Sequence, residues 1–159
     1  MDEGLSPVGE VNDTWPMVLH RLAGDETVEL TADPARVDVA ALLGFLSTAA
    51  YWGRWRDEEV IRQQVAGAWR VVTAHRNGRM VGFARALSDG VSLAYLADVY
   101  VLPEVRGFGI GRALVRLMID DGPGAEFRWM LHTLDAHSLY RGFGFTDPPD
   151  TYMERPGRR

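Results

Sequence analysis

The chain has 159 residues, of which 47% are hydrophobic and 25% charged, and it contains no cysteine. A chain of this length fits one domain that buries roughly 70% of its unfolded surface, while the missing cysteines exclude disulfides, thiolate metal sites and cysteine nucleophiles. All 17 basic residues are arginines, and the net charge is −5. Because a P-loop requires a lysine on its phosphates, Walker-type nucleotide hydrolysis is excluded.

Nucleic acids and membranes are not expected partners. A nucleic-acid-binding domain carries a basic stripe, whereas the only basic cluster of this chain is Arg155, Arg158 and Arg159. No apolar run reaches the ~20 residues that span a membrane, and the acidic N-terminus lacks the basic start and apolar stretch of a signal peptide. We therefore expect a cytoplasmic protein.

The first 26 residues hold six acidic side chains against one basic side chain, Arg21, and show no sustained apolar period. They predict an acidic N-terminal extension (1–26) with one short helical turn near 15–22. The domain itself is expected over 27–155, followed by a short tail (156–159).

The domain begins with a short β-like run, Thr27–Thr31, and continues with two helices. Asp33-Pro34 resembles an N-cap followed by proline at the first helical position, and Asp57 is suited to cap the second helix. Apolar residues spaced for one buried helical face follow each cap. They are Val37, Ala41 and Phe45 in the first helix, and Ile61, Val65 and Ala68 in the second.

Three antiparallel strands are predicted next. Val71–Ala74 and Met80–Ala84 flank Asn77-Gly78, which predicts a hairpin because a type I′ turn needs positive φ at both central residues. Leu93–Leu102 is almost entirely apolar, as expected of a strand covered on both faces, and Asp98 interrupts it.

The rest of the chain alternates again between helix and strand. A helical stripe from Ile110 to Met118 ends at Gly122-Pro123. After it come a strand (Phe127–His132), a short helix through Tyr140 that Asp135 can cap, and two final strands (Phe143–Thr146 and Tyr152–Glu154). This order predicts an α/β fold built on a sheet of mixed direction.

A glycine-rich loop joins the strand Leu93–Leu102 to the helix that begins near Ile110. Its sequence is Arg106-Gly107-Phe108-Gly109-Ile110-Gly111-Arg112. Such a helix has uncapped N–H groups and the positive end of its dipole in the first turn, and glycines let an anion approach the backbone. The loop therefore predicts a phosphate or pyrophosphate site. It is not the G-x-G-x-x-G of a dinucleotide fold, because Arg112 stands where the third glycine belongs.

Two motifs resemble the GCN5-related N-acetyltransferases (the GNAT superfamily). Arg106-x-x-Gly109-x-Gly111 matches the R/Q-x-x-G-x-G/A acyl-CoA motif of that family, and Leu139-Tyr140-Arg141-Gly142-Phe143-Gly144-Phe145 resembles its downstream signature. The resemblance covers residues 27–155. It implies an α/β fold with a mixed, mostly antiparallel central sheet that is splayed at its fourth strand and flanked by about four helices.

The resemblance implies acetyl-CoA as co-substrate and no metal. The backbone of Val99 and Val101 would hold the pantetheine arm, and Tyr140 would protonate the departing thiolate, the alternative being a buried tyrosine at the start of a turn. Many relatives carry an asparagine in place of Thr133, whose hydroxyl would bond the pantetheine or cap the next helix. The pyrophosphate would be held by Arg106, Gly107, Gly109, Ile110, Gly111 and Arg112.

A proton acceptor for the attacking amine is still needed. Asp98 is the first candidate, because a carboxylate inside an apolar strand is costly unless a partner or a cavity accommodates it. The alternative is that Asp98 caps a strand bulge or faces solvent. His132 and His137 are further candidates, each with a structural alternative.

The aromatic connection between the first two helices lies where this family receives its acceptor. Tyr51, Trp52 and Trp55 are predicted to line a site for an apolar or cationic amine, or else to pack the helices onto the sheet. The sequence thus favours an N-acetyltransferase acting on the primary amine of a small molecule, with homodimer formation left open. The alternatives are a catalytically silent acyl-CoA-binding module and a protein N-acetyltransferase.

Overall fold

The computed structural model describes residues 15–22, 25–50 and 55–157. In that part of the chain, six strands form one sheet whose spatial order follows the sequence. The strands are β1 (Met17–Arg21), β2 (Thr27–Thr31), β3 (Arg70–Arg76), β4 (Arg79–Ser88), β5 (Leu93–Val101) and β6 (Arg128–Met130). The helices are α1 (Val39–Thr48), α2 (Glu58–Ala66), α3 (Ile110–Met118) and α4 (His137–Arg141). None of these helices has the length and apolar character needed to cross a membrane.

The sheet is antiparallel from β1 to β5 and parallel between β5 and β6. β6 pairs with β5 through three residues, Leu93–Tyr95 opposite Arg128–Met130, and β5 then continues to Val101. The two strands therefore separate after Tyr95, and we call the gap between them the fork. This confirms the mixed, mostly antiparallel sheet that is splayed at its fourth predicted strand, since that strand is β5.

The sheet starts at Met17 rather than at Thr27. β1 pairs with β2 along its whole length, where the sequence predicted a helical turn near 15–22. An edge strand needs only the backbone hydrogen bonds of its neighbour, so β1 forms with four of its five residues exposed and without apolar alternation. The predicted boundary is corrected accordingly: residues 17–21 belong to the sheet and not to an extension.

The hairpin between β3 and β4 turns at Asn77-Gly78, where the sequence predicted it. The φ angles are 50° at Asn77 and 78° at Gly78, both in the left-handed region that a type I′ turn requires. Asparagine and glycine adopt this region at the smallest cost. The turn therefore fixes the register of β3 against β4, with Arg76 opposite Arg79.

Aspartates cap the first two helices and also the short 3-10 turn that precedes them. Asp57 caps α2 by accepting from the Val60 N–H at 2.9 Å. Asp33 opens only a short 3-10 turn (34–36), and α1 begins after a second cap, Asp38. The buried residues of α1 are therefore Leu42, Phe45 and Leu46. Of the predicted stripe, Phe45 is buried, whereas Val37 precedes the helix and Ala41 is half-buried.

Apolar clusters cover both faces of the sheet. The cluster beneath α3 and α4, which we call the α3 face, includes Ala84, Ala94, Leu96, Leu114, Met118 and Tyr140. The cluster beneath α1 and α2, which we call the α1 face, includes Leu42, Phe45, Ile61, Phe83 and Tyr100. Tyr100 stacks on Phe45 with ring centroids 3.9 Å apart. Fully burying one such large apolar side chain stabilises the fold by about 1.5–3 kcal/mol.

The strands predicted over Phe143–Thr146 and Tyr152–Glu154 are wrong, because residues 142–157 contain no strand. The chain instead folds back on the end of α4. The Gly144 N–H donates to the Arg141 carbonyl and the Phe145 N–H to the Tyr140 carbonyl, with Gly144 at φ 81°. This is a Schellman helix end, which requires a left-handed residue at the position that Gly144 occupies.

Candidate active site

The loop between β5 and α3 exposes the first amides of α3. Gly109 precedes the helix in the left-handed region at φ 81°, and no side chain caps the helix. Gly107 is also left-handed, at φ 83°, and nothing lies within 4 Å of where its Cβ would stand. Uncapped N–H groups at a helix start carry partial positive charge. The loop therefore has the geometry to hold a diphosphate, and the diphosphate site stays a prediction.

Arginines flank this loop on both sides. Arg106 donates from Nε to the Val101 carbonyl at 2.8 Å, which anchors it at the end of β5 and engages neither terminal nitrogen. The Arg112 guanidinium lies 5.8 Å from the centroid of the Phe143 ring, and a Cβ on Gly142 would come within 3.0 Å of it. The acyl-CoA motif and the downstream signature therefore touch each other in the structure.

His20 contacts the glycine-rich loop and was not identified from the sequence. Its Nε2 donates to the Phe108 carbonyl at 2.6 Å, and its ring lies 3.5 Å from where a Cβ on Gly109 would stand. The bond engages a carbonyl oxygen that would otherwise add negative charge beside an anion. His20 lies on β1, and the pairing of β1 with β2 positions it in the sheet. No signal in the sequence indicates this strand.

Replacing His20 with alanine is expected to weaken coenzyme A binding about threefold to tenfold, since one hydrogen bond contributes about 0.5–1.5 kcal/mol. The value of kcat at saturation should stay unchanged, because His20 touches the loop and not the reacting atoms. Calorimetric titration with coenzyme A measures the first effect. Arg21→Ala, on the same strand, is the control, and equal Kd values for both variants would contradict the assignment.

β5 contains a bulge at the fork. Phe83 lies opposite Tyr100 and Arg85 opposite Ala97, so that two residues of β5, Asp98 and Val99, face one residue of β4. Asp98 has a φ of 52°, and aspartate is among the few residues that tolerate this region. A bulge changes which residues face each side of a sheet.

The bulge turns Val99 and Val101 towards the α3 face. Ala94 and Leu96 occupy that face before the bulge, and Val99 and Val101 pack against the same cluster after it. Both valines come after Tyr95, the last β5 residue that pairs with β6. Their backbone therefore borders the fork beside α3, where the sequence predicts the pantetheine arm, and that contact stays a prediction.

Asp98 is held between two arginines. Its Oδ2 accepts from Arg85 Nε at 2.5 Å and from Arg56 Nη1 at 2.8 Å, and its side chain is 3% exposed. Burial acts to raise the pKa of Asp98, but the hydrogen bonds and charges of Arg56 and Arg85 outweigh it and leave the pKa below its ordinary value. A carboxylate held in this way is a poor proton acceptor. We therefore replace the general-base assignment with the alternative, in which Asp98 closes a strand bulge.

Tyr140 lies at the α3 face, in the same buried cluster as Ile110 at the start of α3. It is 8% exposed, and its ring packs edge-on against Phe145 with centroids 5.8 Å apart. Burial, followed by the charge of Asp135, raises the pKa of Tyr140 to about 12. The phenol is consequently protonated at neutral pH and is a hydrogen-bond donor.

The N-cap of α4 is Ala136, and no side chain caps the helix. The predicted cap Asp135 is therefore wrong, and the Thr133 hydroxyl accepts from the Ala136 N–H at 3.0 Å, one residue before the helix. A threonine hydroxyl also has a proton to donate, so the predicted pantetheine contact of Thr133 is compatible with this hydrogen bond.

Only one of the three aromatic residues predicted to line the acceptor site lies among the described residues. Tyr51 and Trp52 lie outside the described residues, so their assignment stays a prediction. Trp55 is 54% exposed just before α2, and the Arg56 guanidinium lies 5.5 Å from the centroid of its ring. A half-exposed indole at this place suits contact with an acceptor.

Comparison with known proteins gives relatives that carry acetyltransferase names. The acetyltransferase (GNAT) family matches residues 42–145. The Gibberella zeae protein FG08082, named as an acetyltransferase, is 30% identical over 160 residues that cover 86% of this chain and 87% of that protein. Serotonin N-acetyltransferase 2, chloroplastic, of Oryza sativa subsp. japonica is 39% identical over 75 residues, or 46% of this chain and 38% of that protein.

Solved structures share the fold. An acetyltransferase of the GNAT family from Xanthomonas campestris pv. campestris has a TM-score of 0.77 at 33% identity and covers 82% of this chain and 93% of its own. An acetyltransferase from Clostridium acetobutylicum, solved with acetyl-CoA, has a TM-score of 0.60 at 16% identity and covers 82% and 96%. The family match over residues 42–145 and the identity with FG08082 show that the chain belongs to the GNAT acetyltransferase family.

Proposed function

We propose that this protein is an acetyl-CoA-dependent N-acetyltransferase that moves the acetyl group to the primary amine of a small molecule by direct attack in a ternary complex. The uncapped start of α3 carries the proposal, because it offers backbone amides to a diphosphate. Arg106 and Arg112 add charge on both sides of the same turn. The donor set therefore fits the diphosphate of coenzyme A, and the Clostridium acetobutylicum neighbour was solved with acetyl-CoA.

The remaining residues would align the two substrates. The backbone of Val99 and Val101 borders the fork, and an N–H group there would stabilise negative charge on the acetyl oxygen, as in other oxyanion sites. Acetyl-CoA, when bound, supplies the activated acetyl group as a thioester. Tyr140, protonated and in the same buried cluster as Ile110 at the start of α3, would donate to the departing sulfur.

A small amine is the acceptor class that the chain supports best. The net charge of −5 favours a cationic acceptor, and the exposed ring of Trp55 would contact its apolar part. The relative from rice is named as a serotonin N-acetyltransferase. We therefore take arylalkylamines as the first substrates to test.

Replacing Gly111 with aspartate is expected to abolish most coenzyme binding without unfolding the protein. The new Cβ would keep ordinary distances, 3.8 Å from Val101 and 4.0 Å from Leu139. The helix itself should not be weakened, because a negative charge in the first turn interacts favourably with the helix dipole. The carboxylate would repel the diphosphate by about 3 kcal/mol per charge at about 5 Å and an effective dielectric of about 20. We expect Kd for coenzyme A to rise about 100-fold.

Gly111→Asn is the matched control, since it has the same shape without the charge, and its Kd should rise far less. Calorimetry and thermal unfolding measure binding and stability separately. Unchanged affinity in a folded Gly111→Asp protein would place the coenzyme elsewhere and contradict the proposal.

An amine panel separates the candidate activities. Thiol release from acetyl-CoA is measured with serotonin, phenethylamine, spermidine and a short peptide with a free N-terminus. Turnover of a small amine supports the proposal, and preference for the peptide would show a protein N-acetyltransferase. Coenzyme binding without turnover on any amine would show a silent acyl-CoA-binding module.

A further inference from the structure

Hydrogen-bonded side chains lie where the fork begins, at the point where β5 and β6 separate. Tyr95 Oη lies 2.7 Å from His132 Nδ1, and His132 Nε2 lies 3.0 Å from Glu154 Oε2. Tyr152 Oη contacts the same Nε2 at 3.1 Å, and its ring centroid lies 6.2 Å from that of His132. Three separate parts of the chain therefore meet here: β5, the segment after β6 and the C-terminal segment. We call Tyr95, His132 and Glu154 together the relay.

The partners of His132 determine where its hydrogen lies. A carboxylate only accepts hydrogen bonds, so Nε2 carries the hydrogen and donates to Glu154. In a neutral imidazole, Nδ1 then lacks a hydrogen and accepts from the Tyr95 hydroxyl. Burial raises the pKa of Tyr95, and Tyr152, Glu154 and Asp98 raise it further, while a hydrogen bond from the His132 backbone lowers it by less. Tyr95 consequently stays a neutral donor to His132, and one lone pair of its oxygen is left to accept a further hydrogen bond.

The relay lies on the side of the sheet away from the proposed acid. Ala94 and Leu96 point to the α3 face, so the side chain of Tyr95 between them points to the opposite face. Tyr140 and α3 belong to the α3 face. A donor for the leaving sulfur and an acceptor for the proton of the amine therefore lie on opposite sides of the fork.

We propose that the relay of Tyr95, His132 and Glu154 deprotonates the acceptor ammonium and is the general base of the transfer; this inference rests on the proposed function. The ammonium donates to Tyr95 Oη. As its proton moves to that oxygen, the phenolic proton of Tyr95 moves to His132 Nδ1, and Glu154 balances the positive charge that forms on the imidazole.

The protons and electrons of the transfer then balance. The lone pair of the amine forms the new C–N bond, and the C–S bond breaks with its electron pair going to sulfur. The acceptor nitrogen loses two protons in all. One leaves through the relay and reaches solvent, since the His132 side chain is 52% exposed. The other replaces the proton that Tyr140 gives to the sulfur.

The test measures kcat/KM for serotonin, or for spermidine if serotonin is not turned over, between about pH 6 and pH 10. His132→Asn and Tyr95→Phe are expected to lower it about 100-fold near pH 7, the lower end of the range for general-base catalysis. The loss should disappear towards pH 10, where the amine loses its proton unaided. A purely structural role would lower the rate equally at every pH.

Control measurements separate a loss of proton transfer from a loss of folding or of coenzyme binding. Glu126→Gln changes an exposed glutamate to which no role is assigned and should leave the pH profile unchanged. Kd for coenzyme A and the melting temperature should be the same in all three variants as in the wild type. A wild-type profile retained by His132→Asn would overturn the relay alone, whereas a wild type that acetylates no amine would overturn the proposed function.

Glu154→Gln tests the position of the His132 hydrogen without any substrate, and then its effect on turnover. In ¹⁵N-labelled wild-type protein, the neutral ring of His132 should carry its hydrogen on Nε2. The variant should shift hydrogen to Nδ1 and lose about tenfold in kcat/KM near pH 7. Hydrogen on Nδ1 in the wild type would overturn the proposed order of proton transfer.

Discussion

Replacing Tyr140 with phenylalanine is expected to lower kcat for acetyl transfer about 1000-fold, within the range for loss of a general acid. Kd for coenzyme A should change less than about threefold, because the hydroxyl acts on the reacting sulfur and not on ground-state binding. The ring contact with Phe145, at 5.8 Å between centroids, is kept by phenylalanine. Thiol release at saturating substrates gives kcat, and calorimetry gives Kd.

The pH dependence of this acid follows from its environment. Burial and Asp135 raise the pKa of Tyr140 to about 12, so the phenol is a weaker acid than a free thiol of pKa ~8.5 by about 5 kcal/mol. Full proton transfer to the sulfur must therefore be coupled to proton loss from the attacking nitrogen. Ionisation of Tyr140 should not lower kcat below about pH 10. A loss of kcat centred near pH 9 and traced to Tyr140 would contradict this environment.

Tyr100→Phe is the matched control for Tyr140→Phe. Tyr100 is also a buried tyrosine whose pKa is raised by burial, but its ring stacks on Phe45 at the α1 face. Its substitution should change kcat less than about threefold. If both variants lost activity alike, the effect would reflect disturbed packing, and the acid role of Tyr140 would be wrong.

The sequence predicted the elements whose signals are local. Asn77-Gly78, the cap Asp57 and the stripe of α3 each act within a few residues, so spacing alone identified them. The glycine-rich loop was predicted for the same reason, because a strand, glycines and a helix start follow one another directly in the chain.

Features that depend on distant partners were not predicted. β1 is an edge strand with exposed side chains, so its position depends on the edge that β2 offers and not on its own apolar pattern. The environment of Asp98 depends on Arg56, 42 residues earlier in the chain. The contact of His132 with Glu154 likewise joins residues far apart in sequence, and His20 reaches Phe108 across 88 positions. Such contacts become visible only when the sheet is assembled.

Replacing Asp98 with asparagine is expected to lower the free energy of unfolding by about 3–5 kcal/mol, the usual effect of removing one partner from a buried ion pair. For a domain of this size that is a fall in Tm of about 10 °C. Asparagine tolerates the left-handed backbone of this position, at φ 52°, so the substitution removes the charge and keeps the bulge. Arg56 and Arg85, whose side chains are 8% and 9% exposed, would then be buried without this carboxylate.

The sign of the pH dependence follows from the lowered pKa of Asp98. Its contribution is fully present above the pKa of an unfolded aspartate, ~3.9, and is lost as pH falls through the lower folded value. The difference in Tm between the wild type and Asp98→Asn should therefore be constant from about pH 5 to 8 and shrink in more acidic solution. Asp150→Asn, at an exposed position, should change Tm by less than about 2 °C.

The activity of the folded Asp98→Asn protein, measured below its melting temperature, tests whether Asp98 is the base. Its kcat/KM should still fall towards low pH as in the wild type, because Asp98 is not the group that accepts the proton. If that fall were lost in Asp98→Asn, Asp98 would be the base after all.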